Sequence, residues 1–129
     1  MVGSTIEKPW GNYIMYCCNK EATVKIITLN SGEKLSLQSH RYRDELWIPL
    51  DEGLIVEIDM TEYKGKPFEE YWIQRTMLHR LSNPNKKPKR ILEISFGKFN
   101  ESDIKRYEDK YGRGVSKLPR RLRNLFQRK

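Results

Sequence analysis

Short β-type segments separated by turn residues fill the chain between residues 13 and 98, and this pattern restricts the fold more than any other feature. Segment 23–29 is rich in β-branched residues and ends at an Asn-Ser-Gly turn. Segment 34–40 alternates strictly, with leucines on one face and Ser36, Gln38 and His40 on the other. Further segments of this type occupy 46–48, 54–58, 71–73, 78–81 and 90–96. Such spacing predicts one antiparallel sandwich or barrel, since 129 residues suffice for about one domain.

Two helices are predicted after the last of these segments. Asn100 is a suitable N-cap, Asp103 lies in the first turn, and Gly112 is a stop signal, so we expect a helix over 100–112 with Ile104, Tyr107 and Tyr111 on one face. A second short helix is predicted from Pro119, with an apolar side formed by Leu118, Leu122, Leu125 and Phe126. The sequence therefore predicts an all-β domain with a short C-terminal helical appendage.

The positive charge of the chain is concentrated at its C-terminal end. Lys and Arg number 25 and Asp and Glu 17, which gives a net charge of +8. Six of these basic residues, and no acidic residue, lie in 114–129. We therefore divide the chain into a nearly neutral domain, 1–113, and a basic tail, 114–129. The tail is either a site of contact with an anionic partner, such as nucleic acid or anionic lipid, or a solvated end.

Several classes of protein are disfavoured by features that the sequence lacks. No apolar run approaches the length needed to span a bilayer, and the N-terminus lacks the apolar stretch of a signal peptide. Cys17 and Cys18 are adjacent, a spacing that suits neither a mutual disulfide nor a zinc ribbon. We expect free thiols and a cytoplasmic location. Glycine-rich phosphate loops are also missing, so we expect no nucleotide transfer by this chain alone.

A group of potential metal ligands lies on and after the alternating segment 34–40. Gln38 and His40 project from one face, and Glu45 follows five residues later. His79, the other histidine of the chain, falls in a later predicted strand. Nitrogen and oxygen ligands of this kind suit a divalent metal such as zinc, manganese, iron or cobalt. The alternative is an ordinary polar face of a strand.

Four motifs, in order along the chain, resemble those of the type II mannose-6-phosphate isomerase family. Residues 35–47, LSLQSHRYRDELW, resemble the family's first cupin motif, and residues 79–84, HRLSNP, resemble its second. Residues 7–13, EKPWGNY, resemble its opening R-P-W-G-x-Y. Residues 103–113, DIKRYEDKYGR, resemble its closing motif. The resemblance implies a cupin, an RmlC-like jelly-roll β-barrel.

The resemblance also implies a site and an activity. It implies a divalent metal held by Gln38, His40, Glu45 and His79. It places Arg43 and Arg113 where they can bind a substrate phosphate, because guanidinium pairs bidentately with phosphate oxygens. The alternatives are a surface salt bridge for Arg43, with Asp44 or Glu45, and a helix C-terminal charge for Arg113.

The activity that the resemblance implies is metal-dependent interconversion of mannose 6-phosphate and fructose 6-phosphate, in mannose, GDP-mannose and polysaccharide metabolism. Tyr42 and Lys25 are candidates for moving the proton, and a homodimer is expected from the family. One alternative is a non-catalytic cupin that binds a sugar phosphate or nucleotide-sugar, and another is a metal-cupin oxygenase or epimerase. These alternatives stay open because Tyr42 and Leu46 stand where the family has histidines, and because residues 73–78 depart from its pattern.

Overall fold

A computed structural model describes residues 3–118, and this part of the chain is built entirely from strands and loops. The eleven strands are β1 (Ser4–Lys8), β2 (Gly11–Met15), β3 (Ala22–Leu29), β4 (Leu37–Ser39), β5 (Asp44–Pro49), β6 (Ile55–Ile58), β7 (Thr61–Lys64), β8 (Tyr71–Ile73), β9 (His79–Ser82), β10 (Lys89–Phe96) and β11 (Lys105–Glu108). The predicted all-β class is confirmed.

Two antiparallel sheets form the body of the domain. One has the strand order β3-β10-β5-β8, and the other has the order β11-β4-β9-β6-β7. β1 and β2 form a separate hairpin. Neighbours in the sheets are mostly distant in sequence, so long crossing connections, as in a jelly roll, link the two layers.

The main core lies between the two sheets, because side chains of both contribute to one buried cluster. Its buried members are Leu29, Trp47, Leu54, Val56, Tyr71, Ile73, Leu81 and Ile91. A second buried group, Leu46, Ile48 and Ile94, lies on the opposite face of the first sheet. β5 and β10 therefore carry buried apolar side chains on both faces, which explains why consecutive residues such as Leu46 and Trp47 are both apolar.

The helix predicted over 100–112 is wrong, since the chain forms a turn and then β11. Asn100 therefore caps no helix; its side chain accepts hydrogen bonds from the backbone and hydroxyl of Ser102 and so makes a tight turn. Lys105–Glu108 then pairs with β4 at the edge of the second sheet. The unpaired backbone edge of β4 exists only once the sheet has assembled. Hydrogen bonding to that edge outweighs the local preference of residues 105–108 for a helix.

The tail begins in contact with the domain. The backbone N–H of Ser116 donates to the carbonyl of Arg106, and Leu118 packs against Leu37 and Leu78. The predicted helix from Pro119 lies outside the described residues, and the boundary at 113 stays a prediction. Cys17 and Cys18 are both free. Within residues 3–118 the structure contains no apolar helix of membrane-spanning length.

Candidate metal centre

Strand register brings the predicted ligands to the interior. Gln38 on β4 lies directly opposite His79 on β9, and partners in an antiparallel pair project from the same face. Glu45 on β5 lies opposite Ser95 on β10 in the other sheet. His40 follows β4 at once. The two sheets therefore present their polar side chains to each other at one end of the core.

Three side-chain atoms converge at this point. Oε1 of Glu45 lies 3.2 Å from Nε2 of His79 and 3.4 Å from Nε2 of His40, and the two imidazole nitrogens are 3.2 Å apart. All three residues are buried. Ligand atoms that share one metal at bond lengths of about 2.0–2.2 Å are separated by about 3.0–3.4 Å, so the observed spacing suits a common metal ion.

Both imidazoles turn the same nitrogen toward this point. Nδ1 of His40 lies 2.7 Å from the carbonyl of Asp103, and Nδ1 of His79 lies 2.9 Å from the carbonyl of Met77. A carbonyl only accepts, so each Nδ1 carries a hydrogen and donates it. In the neutral rings Nε2 then carries the lone pair, which is the tautomer that a metal-binding histidine needs.

Glu45 supplies the negative charge of the centre. Burial raises the pKa of Glu45, but the hydrogen bonds and positive charge that His40 and His79 offer when protonated at Nε2 have the larger effect and hold that pKa well below its usual range. Its Oε1 is buried and receives no well-directed hydrogen bond. Because an orphaned buried carboxylate oxygen is costly, the donor set fits a cation held by His40, Glu45 and His79. Gln38, whose Oε1 accepts from Ser36 at 3.3 Å, shares the face of His79 and stays the predicted fourth ligand.

Arg43 lies beside the cluster of His40, Glu45 and His79, and only 5% of its surface is exposed. Its Nε donates to Oε2 of Glu45 at 3.2 Å, one terminal nitrogen to the carbonyl of Asn100 at 3.1 Å, and the other faces Nε2 of His40 at 3.3 Å. Its guanidinium stacks on the ring of Phe99. The ion pair with Glu45 therefore exists, but it is buried, and it orients the carboxylate so that Oε1 faces the histidines.

Arg113 lies in the exposed turn after β11. It makes a bidentate ion pair with Asp109, at 2.8 and 3.0 Å, which raises the pKa of Arg113 and lowers that of Asp109. No helix precedes it, so the alternative of a helix C-terminal charge is removed. Phosphate binding by Arg43 or Arg113 stays a prediction.

The two candidates for proton transfer occupy different surroundings. Tyr42 is exposed, and it lines a surface cleft of about 670 Å³ together with His40, Lys98 and Lys105. Lys25 lies on β3 opposite Glu93, so its side chain leaves the sheet on the interior face.

The two departures from the family pattern in the first motif lie away from the cluster. Tyr42 is exposed on the loop before β5. Leu46 belongs to the buried group on the outer face of the first sheet. Neither replacement therefore removes a ligand or changes a contact of the three converging atoms.

Sequence reasoning missed Glu93 and Ser95 on β10. The Ser95 hydroxyl lies 3.1 Å from Oε2 of Glu45 and 3.4 Å from Oε1 of Glu93, and the indole N–H of Trp47 donates to Glu93 at 3.0 Å. Burial, reinforced by the charge of Glu45, raises the pKa of Glu93. The signal in the sequence is a charged residue, Glu93, between the apolar residues of segment 90–96. Apolar residues occur on both faces of β10, so alternation does not show which face points inward.

Comparison with known proteins identifies the family of this chain. The family model for the mannose-6-phosphate isomerase C-terminal domain matches residues 2–109. The alginate biosynthesis protein AlgA of Pseudomonas aeruginosa is 37% identical over 109 residues, 84% of this chain and 23% of that protein. The mannose-1-phosphate guanylyltransferase ManC of Salmonella typhimurium is 34% identical over 109 residues, with coverage of 84% and 23%. The chain spans about a quarter of the length of these relatives.

Solved structures show the same fold at low identity. A sugar phosphate isomerase of the cupin superfamily from Silicibacter pomeroyi aligns with a TM-score of 0.56 and 18% identity, covering 74% of this chain and 72% of that chain. A cupin protein from Bacteroides fragilis gives a TM-score of 0.53 at 20% identity, covering 75% and 79%. The chain therefore belongs to the mannose-6-phosphate isomerase C-terminal family and has the cupin fold that its motifs predicted.

Proposed function

We propose that this chain is a divalent-metal cupin that interconverts mannose 6-phosphate and fructose 6-phosphate. The convergence of two Nε2 lone pairs and one orphaned carboxylate oxygen in a buried interior carries the proposal. Membership of the family supports the choice of a sugar phosphate as substrate.

The reaction moves a proton between adjacent carbons, and the protein has to bind, orient and protect the sugar during that transfer. A divalent metal held by His40, Glu45 and His79, with Gln38 as the predicted fourth ligand, polarises the sugar oxygens when bound. Arg43 keeps the Glu45 carboxylate in a single orientation through Oε2. Burial of the cluster excludes water, which strengthens every charge interaction inside it.

For the proton itself, Lys25 and Tyr42 both stay candidates. Lys25 leaves β3 on the face of Glu93 and its amine pairs with Glu101, whereas Tyr42 is exposed on a loop. A matched pair of variants, Lys25→Met and Tyr42→Phe, separates the two residues, since loss of the proton carrier lowers kcat.

The proposal includes a cellular role and an assembly. The matched relatives are proteins of alginate biosynthesis and of mannose-1-phosphate guanylyl transfer, and so we place this chain in the supply of mannose phosphates for polysaccharide synthesis. A cytoplasmic homodimer, with the basic tail against an anionic partner, is the expected setting.

Metal analysis followed by an isomerase assay tests the proposal. The full chain is purified, its divalent metals are quantified, and conversion of mannose 6-phosphate is followed by a coupled assay. We expect one metal per chain, conversion that is lost on chelation, and recovery when the metal is restored. Absence of stoichiometric metal, or a metal-loaded protein that forms no fructose 6-phosphate, would refute it.

The enclosure of the cluster favours a second candidate, a module that recognises a sugar phosphate at the mouth of the barrel without turnover. Glu45 and His79 are 1% and 0% exposed, so a ligand that does not open the interior cannot reach them. Pure binding predicts a rise in melting temperature with mannose 6-phosphate and no product in the coupled assay.

A further inference from the structure

The cluster of His40, Glu45 and His79 is buried, and three parts of the fold lie around it. Trp47 lies edge-on to His79, with ring centroids 5.3 Å apart, and continues into the main core. Ser95 of β10 contacts Glu45, and Glu93 lies beside it. Residues 98–102, the loop that follows β10, pack on Arg43 through the Asn100 carbonyl and the Phe99 ring, and we call this loop the cap.

Two cationic side chains, Lys25 and Arg43, contact the cap through one aromatic ring. The ring of Phe99 lies between them, with Nζ of Lys25 3.9 Å and the guanidinium carbon of Arg43 4.5 Å from its centre. The carboxylate of Glu101 reaches back to Nζ of Lys25 at 3.1 Å. Glu101 of the cap therefore forms an ion pair with the amine of Lys25.

The two ends of the cap differ in rigidity. Asp103 is firmly anchored, because its carbonyl accepts from His40 and its carboxylate accepts from the backbone N–H groups of Arg41 and Tyr42, at 2.8 and 3.0 Å. At the other end Gly97 has φ of 94°, a conformation that glycine adopts without strain. The Gly97 N–H donates to the carbonyl of Glu21 at 3.1 Å, and a Cβ at Gly97 would approach only the Tyr42 carbonyl, at 3.8 Å. One hydrogen bond thus holds the chain at Gly97 and three hold it at Asp103, which suits a hinge at Gly97 and a fixed point at Asp103.

The pair that closes the cap is weak. The Glu101 side chain is 82% exposed and that of Lys25 is 33% exposed. Exposed ion pairs stabilise little, because water competes for both charges. A phosphate monoester carries more negative charge than a carboxylate and offers three acceptor oxygens, so it competes well for the same amine.

We propose that Lys25 is an anion-binding residue at the mouth of the barrel, and that Glu101 is an internal occupant which the phosphate group of the ligand displaces. Displacement frees the cap from Lys25 and exposes the interior next to Arg43. The identity of the ligand as a sugar phosphate rests on the proposed function, whereas the anion site itself does not. This places anion recognition at a residue other than Arg43 and Arg113, whose donors are engaged by Glu45 and Asp109.

Binding of inorganic phosphate to the full chain tests the site without turnover. Titration calorimetry compares wild type with Glu101→Gln, Lys25→Met and the control Glu52→Gln, an exposed glutamate in the turn between β5 and β6. We expect Glu101→Gln to bind phosphate about two- to fivefold more tightly, the factor that corresponds to an exposed ion pair. Lys25→Met should bind about tenfold more weakly or worse, since a charge-assisted hydrogen bond is lost. Glu52→Gln removes the same charge and should behave as wild type.

A second measurement follows the cap directly. Removal of the metal by a chelator should be faster in Glu101→Gln than in Glu52→Gln, because an open cap gives the chelator access to the cluster. An unchanged phosphate affinity in Glu101→Gln, or wild-type phosphate binding in Lys25→Met with an unchanged circular dichroism spectrum, would overturn the proposal. Phosphate binding needs no isomerase activity, so failure of the anion site is distinguishable from failure of the proposed reaction.

Discussion

Substitution of Arg43 by methionine separates two roles for this residue, support of the metal ligands and binding of a substrate phosphate. Arg43 is 5% exposed and Glu45 1% exposed, and they are joined at 3.2 Å. Methionine retains much of the volume but leaves the Glu45 carboxylate buried without its guanidinium partner. Breaking one side of a buried ion pair lowers the free energy of unfolding by about 3–5 kcal/mol. Substitution of a phosphate-binding residue that had no structural role would lower the free energy of unfolding by far less.

The loss should depend on metal, because a divalent cation at the cluster supplies the missing positive charge to Glu45. With metal bound, the remaining loss comes from the hydrogen bond to the Asn100 carbonyl and the stacking on Phe99, and we expect about 1–2 kcal/mol. Metal at a thousand times its Kd also stabilises the folded chain by about 4 kcal/mol, so a variant that is unfolded without metal should refold with it.

Urea denaturation, followed by tryptophan fluorescence, to which the buried Trp47 contributes, measures both losses in the metal-free and metal-saturated protein. Arg90→Met is the matched control, because Arg90 pairs with Asp51 on the surface and its removal should cost at most about 1 kcal/mol with or without metal. The reasoning is refuted if Arg43→Met loses the same free energy in both states, or no more than Arg90→Met does.

Three further predictions concern the ligands, the second motif and pH. His79→Gln should reduce the metal content, measured by elemental analysis, from about one ion per chain to none, while the β-type circular dichroism persists. Full retention of the metal would show that His79 is not a ligand. Asn83→Ala should lower the free energy of unfolding by about 2–4 kcal/mol, because the buried amide donates to three backbone carbonyls at 2.8–3.2 Å; a loss in urea below about 1 kcal/mol would contradict this. Burial raises the pKa of Glu57, so its stabilising contribution is present below the unfolded-state value of about 4.3 and is lost as pH rises through the folded-state value. Glu57→Gln should therefore melt above wild type at neutral pH and equal to it near pH 4, and an equal gain at both pH values would contradict the assignment.

The elements that sequence analysis located correctly are those with a strong local pattern. The β-branched segment 23–29 corresponds to β3, the alternating segment 34–40 contains β4, and the short apolar runs correspond to β6 and β8. β7 and β11 were missed because exposed edge strands carry few apolar residues and therefore lack the periodic signal.

The residues of the candidate site also differ in whether the sequence could predict them. His40 and Glu45 are near each other in sequence, and the motif around His79 completes the set, so their meeting could be predicted. Glu93 and Ser95 could not be, because their inward orientation depends on which face of β10 packs against the other sheet. The orientation of Arg43 depends likewise on carbonyls of Asn100 and Asp103, some sixty residues later in the chain.

The sequence by itself determined the all-β class, the cupin family and the set of candidate ligands, because strand periodicity and motif spacing are local properties of the chain. Only the tertiary structure decided that residues 105–108 are a strand, that Arg43 pairs with Glu45 in the interior, and that Lys25 pairs with Glu101. These features arise where distant segments satisfy one another's backbone groups and charges. Such pairings depend on how the sheets pack, and the local pattern around each residue does not encode them.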